Sequence, residues 1–142
     1  MGKKERFLFL LSLVLILSTW TTAQASEERE EKALQAVRQW LDLVDNDRFG
    51  ESWITAATFF KSAVGKEQWE LSLSSVRKPL GKVISRKLKS KQYTKKLPGA
   101  PDGEYVVIQF ETSFEHKGSA VETVTPMMER NGTWRVSGYY IK

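Results

Sequence analysis

Apolar residues recur along the chain with two different periods, and the change of period divides it in half. Ala33, Leu34, Val37, Trp40, Leu41 and Val44 fall at three-and-four spacing, which places them on one stripe of a helix. Ser26 can cap that helix, and Glu27, Glu28, Glu30 and Glu31 crowd its first turns, where the helix dipole favours acids. Asp45-Asn46-Asp47 breaks the pattern. A second helix is predicted with Phe49, Trp53, Ala56, Ala57 and Phe60 on one side, punctuated by Gly65. A third carries Trp69, Leu73 and Val76 and is predicted to end at Lys78, because the residue before Pro79 is pushed out of helical conformation.

Beyond Pro79 the period shortens to two. Residues 83–94, 105–116, 120–130 and 133–141 read as four strands. Leu97 to Gly103 (LPGAPDG) is a turn-rich loop, Lys117-Gly118 a tight turn, and Asn131-Gly132 a strong two-residue hairpin signal. Two-residue turns at the last two sites place Phe114 opposite Val121, Ile108 opposite Met127, Met127 opposite Val136 and Thr123 opposite Tyr140. One face would then hold Ile108, Phe110, Phe114, Val121, Met127, Trp134, Val136 and Tyr140, and the helices should cover it. The other would hold Gln109, Glu111, Glu115, Glu122, Arg135 and Tyr139, with Val124, Met128 and Ile141 among them. A slip of one residue would invert every assignment. The expected fold is α+β: three N-terminal helices on one face of a four-stranded antiparallel meander. That order suggests a nuclear transport factor 2-like or cystatin-like architecture, an analogy of fold that says little about function.

The first 25 residues stand apart. Lys3, Lys4 and Arg6 precede an apolar run, Phe7 to Leu17, and Ala23-Gln24-Ala25 supplies small residues at a cleavage site. This is the three-part pattern of a secretory signal peptide, with cleavage expected between Ala25 and Ser26. The run is short for a membrane span, which wants about 20 residues; an uncleaved N-terminal anchor is the rival reading. Residues 26–142 would form a single exported domain of 117 residues, periplasmic in a Gram-negative cell and otherwise secreted. No second apolar stretch is long enough to span a membrane. The leader carries three basic residues and one acid, so removing it lowers the net charge from +5 to +3. That mild charge, together with export, argues against nucleic acid as a partner.

The segments Trp40-Leu41-x-Leu43-Val44-Asp45, Ser52-Trp53, Trp69, Arg77 to Val83 (RKPLGKV), Leu97 to Tyr105 (LPGAPDGEY), Val121 to Val124 (VETV) and Trp134 to Ile141 (WRVSGYYI) together resemble the bacterial domain of unknown function 4019 family. The resemblance covers nearly all of the chain beyond the leader. It implies a small exported bacterial protein and brings no catalytic residue with it.

Chemistry-bearing residues are sparse. The chain has no cysteine and one histidine, His116, beside a predicted turn, so zinc, copper and haem lose their usual ligands and neither a metal nor a cofactor is expected. Asp45-Asn46-Asp47 with Gly50 imitates a calcium loop, but position five would be Phe49 and position twelve Ala56, where an oxygen ligand and a bidentate Glu are required. Asn131-Gly132-Thr133 is formally a glycosylation sequon, which the turn explains without a glycan. Trp40, Trp53, Trp69 and Trp134 read as core. Residues 82–96 hold seven basic residues and no acid. Lys87, Lys89 and Lys91 are the candidate basic surface, for anionic lipid or polysaccharide; the plainer reading is an edge strand guarded by lysine and paired across the sheet with Glu111 and Glu115. Val124, Met128, Tyr139 and Ile141 form a candidate interaction patch, for a homodimer or an envelope partner. The function expected is that of a non-enzymatic binding or interaction domain. A small pocket enzyme using Tyr140, Thr123 or Thr125 is the alternative, weakened by the lack of a visible carboxylate on the inner face.

Overall fold

The computed structural model describes residues 2–142, with side chains described from residue 21 onward. Four helices precede four strands: α1 (Gly2–Asp45), α2 (Phe49–Ile54), α3 (Thr58–Ala63), α4 (Lys66–Leu80), β1 (Val83–Thr94), β2 (Tyr105–Phe114), β3 (Lys117–Met128) and β4 (Trp134–Ile141). The strands form one antiparallel meander in the order β1-β2-β3-β4. The basic and apolar parts of the expected leader lie outside the residues whose side chains are described. α1 runs unbroken through Ala25 and Ser26, so Ser26 starts no helix here. Among the described residues, no helix is long and apolar enough to cross a membrane.

The predicted second helix is two short ones. Thr55, Ala56 and Ala57 separate them, the two alanines fully buried, and the Ala57 N–H donates to Val136 O at 2.8 Å, tying the linker to the outer edge of β4. α4 runs past Lys78 to Leu80, with Pro79 in its last turn. The Leu80 carbonyl is capped by the His116 N–H at 2.9 Å. Gly81 follows at φ +75, and a Cβ there would meet the Glu115 Cβ at 2.9 Å; conformation and space both require glycine.

The stripe on α1 is buried as expected, with Ala33, Val37, Leu41 and Val44 at 1% exposure or less against Val106, Ile108, Phe110 and Val124. Val76 is the exception on α4: it is exposed, and its neighbour Arg77 is buried instead.

The expected register fails at three places, each with a local cause. The β2–β3 turn is at Glu115-His116, not Lys117-Gly118, so Phe114 faces Lys117 and Ile108 faces Val124. That three-residue shift turns β3 over. Ala120, Glu122, Val124 and Pro126 point to the helices, while Val121 and Met127 point away. On β4 the Asn131-Gly132 hairpin pairs Thr123 with Tyr140 as predicted, but Met127 faces Arg135 rather than Val136. Ser137 is an extra residue there, its hydroxyl bonded to Thr125 O at 2.8 Å. Trp134 and Val136 therefore share the inner face with Tyr139, and Tyr140 faces outward at 53% exposure. On β1, register shifts make Ile84 and Lys89 extra residues. Ile84 is 66% exposed, and Leu88 is on the core face but only partly covered.

Candidate functional site

Turning β3 over brings a carboxylate into the protein. Glu122 is fully buried on the helix-covered face, where apolar alternation had put Val121. Diagonally across from it on β2, Thr112 donates its hydroxyl to Oε1 at 2.5 Å. Arg86 on β1 shares the face with Thr112 and donates from Nε to Oε1 at 2.7 Å and from Nη2 to Oε2 at 3.2 Å. The Tyr139 hydroxyl donates to Oε2. Both oxygens thus carry two hydrogen bonds, close to what a carboxylate accepts.

Arg86 is shared. Its Nη1 donates to Asp45 Oδ2 at 2.7 Å and its Nη2 to Asp45 Oδ1 at 3.0 Å. Asp45 is the last residue of α1, a position where the helix dipole disfavours a negative charge. Two guanidinium groups offset that: Arg77 on α4 donates from Nη2 to Asp45 Oδ1 at 2.8 Å. Arg77 also stacks on Phe114, 5.1 Å from the ring centroid, and Tyr139 packs edge-on against Trp40 at 5.3 Å. The cluster contains two arginines and two carboxylates, so it is neutral, and it joins α1, α4 and all four strands. Arg77 Nε is the one nitrogen of the cluster that is buried without a hydrogen-bond partner.

Titration behaviour follows from this geometry. Burial pushes the Asp45 carboxyl up, but the hydrogen bonds and charges of Arg86 and Arg77 outweigh it and hold it below the ordinary carboxylate range. Burial pulls the Arg86 guanidinium down, and Asp45 and Glu122 more than reverse that, so it stays charged. Burial and then the Glu122 charge push the Tyr139 phenol well above its usual value, keeping it a proton donor.

Around the cluster the aromatic residues behave as core. Trp40 donates to Ser52 O at 2.8 Å, Trp69 to Ser52 Oγ at 3.0 Å and Trp53 to Val64 O at 2.7 Å, so three indoles expected in the core have structural partners. Trp134 Nε1 is buried without one. A cleft of about 220 Å³ lies at the Asp45 end, lined by Asp45, Asp47, Arg77, Lys78, Lys82 and Glu115. Among the described residues, no three His, Cys, Asp or Glu side chains could hold a metal ion.

The predicted surface sites come apart. Lys87 pairs across the strands with Glu111, and Lys89 is exposed at a bulge. Lys91 is not on that face: it pairs with Ile108 on the helix side, is 20% exposed and forms an ion pair with Glu31 of α1. Of the patch residues, Val124 is fully buried in the core, Met128 and Tyr139 pack against the core, and Ile141 pairs with buried Glu122. These four belong to the covered face and form no exposed patch. Ala25 and Ser26 lie side by side in α1, Ala25 exposed and Ser26 half-buried. Asp45 and Tyr139 were each noted in the sequence, but their convergence with Arg77, Arg86 and Glu122 was missed. The available signal was a lone Arg between Ser85 and Lys87 that, taken in alternation with Leu88, belongs to the inner face.

A helical layer on one face of a four-stranded meander, locked by a buried ionic cluster, defines a small α+β domain. The chain belongs to the family described as protein of unknown function (DUF4019), which it matches over residues 36–139. It is similar in fold to a solved structure from Catenulispora acidiphila, with 12% identity over 84% of this chain and 93% of that one and a TM-score of 0.53. A comparison with curated proteins gives no match.

Proposed function

We propose that this is an exported, non-catalytic interaction domain, of nuclear transport factor 2-like build, in which the buried polar cluster is scaffolding. The observation that supports this reading is the saturation of Glu122. A catalytic carboxylate needs an oxygen free to meet a substrate proton. Both Glu122 oxygens are taken by Arg86, Thr112 and Tyr139, from three other strands. The cluster is the ionic link between the ends of α1 and α4 and the sheet. The export part of the proposal rests on the three-part pattern of the first 25 residues.

Complementation of a gene deletion tests the reading. Tyr139→Phe keeps the ring against Trp40 and removes only the hydroxyl. For scaffolding, a Tyr139→Phe protein at wild-type abundance restores the deletion phenotype in full. Failure to restore it, with the variant folded and equally abundant, would favour a pocket enzyme instead, with Tyr139 and Glu122 as its acid–base pair in place of Tyr140, Thr123 and Thr125, which face outward.

A further inference from the structure

The two edges of the sheet are finished differently. On β4 the linker between α2 and α3 bonds the free side of the strand, from the Ala57 N–H to Val136 O. On β1, α1 bonds the backbone only near the far end, where Glu30 accepts the Tyr93 N–H at 3.2 Å and Glu31 pairs with Lys91. The stretch from Lys82 to Lys89 is left open.

Bulges shape that stretch. Ile84 and Lys89 are the extra residues at two register shifts, and a bulge bends an edge and re-aims the residue it adds. A bulged edge set with lysines resists another strand, so it offers its side chains rather than its backbone. Lys82, Lys87, Lys89, Lys95 and Lys96 are all exposed, and among the described residues none of these ammonium groups has an ion pair or a hydrogen bond. Lys87 faces Glu111 in the register, yet no ion pair forms between them. Guarding the edge accounts for the lysines and leaves Ile84 unexplained, because an apolar residue turned out on a free edge invites association. The bulge holds this isoleucine at 66% exposure, between Lys82 and Lys87. Leu88, between Lys87 and Lys89, is 37% exposed.

We propose that the β1 edge lies on an anionic membrane surface, with the unpaired lysines among the lipid headgroups and Ile84 reaching the acyl boundary. Basic residues interleaved with apolar ones hold such a surface through two effects, attraction to anionic lipid and burial of apolar area. A membrane demands no pairing register, which suits a bulged strand. β1 is twelve residues long, about 40 Å at the rise of a strand, so its lysines are spread over many headgroups and do not converge on one anion. A soluble polyanion could match the charges but would leave Ile84 in water. The contact supplies a partner for the interaction domain proposed above and rests on that reading. Vesicle binding and the Tyr139→Phe complementation report on different residues, so the two can fail separately.

Flotation with lipid vesicles tests the contact on protein recovered from outside the cytoplasm. Neutral phosphatidylcholine vesicles measure what any retained leader binds. The excess on vesicles of equal parts phosphatidylglycerol and phosphatidylcholine measures the edge. That excess should be clear at about 0.1 M salt and lost at about 1 M, where the Debye length is about 3 Å. Lys87→Gln/Lys89→Gln should weaken it by about tenfold or more. Lys66→Gln/Arg130→Gln, the same change of charge away from β1, should leave it close to wild type. The chain has no cysteine, so an environment-sensitive dye on Ile84→Cys reports that position alone. Its emission should shift to the blue on anionic vesicles, whereas a dye on Leu71→Cys, exposed on α4, should not respond. Equal binding to both kinds of vesicle, equal losses in the two double variants, or a dye at position 84 that stays in water would each overturn the proposal. Binding to dextran sulfate with no excess on anionic vesicles would overturn it in favour of an anionic glycan.

Discussion

Arg86 holds Glu122 and Asp45 at once, with Nε 2.7 Å from Glu122 Oε1 and Nη1 2.7 Å from Asp45 Oδ2. One guanidinium thus joins the fully buried centre of β3 to the last residue of the first helix. Arg86→Met leaves Glu122 buried without its counter-charge, a loss of about 3–5 kcal/mol. Chemical denaturation should show that drop for the single variant. The Arg86→Met/Glu122→Leu double variant should recover part of it, because an apolar pair does not strand a charge. Additive losses would mean that the two residues do not act on each other.

Acid should loosen the same joint. The Asp45 carboxyl is depressed in the folded protein, so its contribution to stability is complete above the ordinary carboxylate value of about 3.9 and is lost as pH falls through the lower folded value. The unfolding free energy of the wild type should therefore fall more steeply below about pH 4 than that of Asp45→Asn. Parallel pH profiles for the two proteins would remove Asp45 from the account.

Tyr139 should not ionise while the protein is folded. Its phenol is raised by burial and by the Glu122 charge beside it. The alkaline absorbance change of folded Tyr139→Phe should match that of the wild type, and a difference should emerge only when both are unfolded. A smaller change in the folded variant would show the phenol to be free.

Gly81 holds the α4–β1 turn against the Glu115-His116 turn, where the Lys82 N–H donates to Glu115 Oε1 at 2.8 Å. Gly81→Ala adds a Cβ in a positive-φ position with a 2.9 Å approach to Glu115. A loss of about 1–3 kcal/mol follows, measurable by thermal unfolding. An unchanged midpoint would show that the turn can rearrange freely.

The elements were legible in the sequence where local chemistry decides them. The α1 stripe and the order of strands follow from neighbours in the chain, whereas the expected pairing of Thr123 with Tyr140 holds only because the extra residue at Ser137 offsets a one-residue shift beside the Asn131-Gly132 turn. The site was not legible, and the reason is Glu122. Alternation can place either Val121 or Glu122 inside, and hydrophobicity alone selects Val121. What makes Glu122 tolerable inside is Arg86, 36 residues away, which is itself held by Asp45, 41 residues further back. A bulge at Ser137 then exchanges Tyr140 for Tyr139, and no local signal announces it. Each partner of the cluster is polar and looks like surface when taken alone.

Processing between Ala25 and Ser26 is the expectation drawn from the leader pattern. N-terminal sequencing of protein recovered from outside the cytoplasm should begin at Ser26. A sequence beginning at Met1 would make α1 an anchor or stem rather than a precursor helix.

The unfolding free energy of Glu122→Gln tests the scaffold reading most directly. Gln keeps the shape of Glu122 and removes the charge that Arg86 and Tyr139 are arranged around. If the carboxylate is scaffolding, stability falls by about 3 kcal/mol or more. Groups kept for chemistry usually cost stability, and their removal often raises it. A Glu122→Gln protein as stable as the wild type, or more stable, would contradict the account.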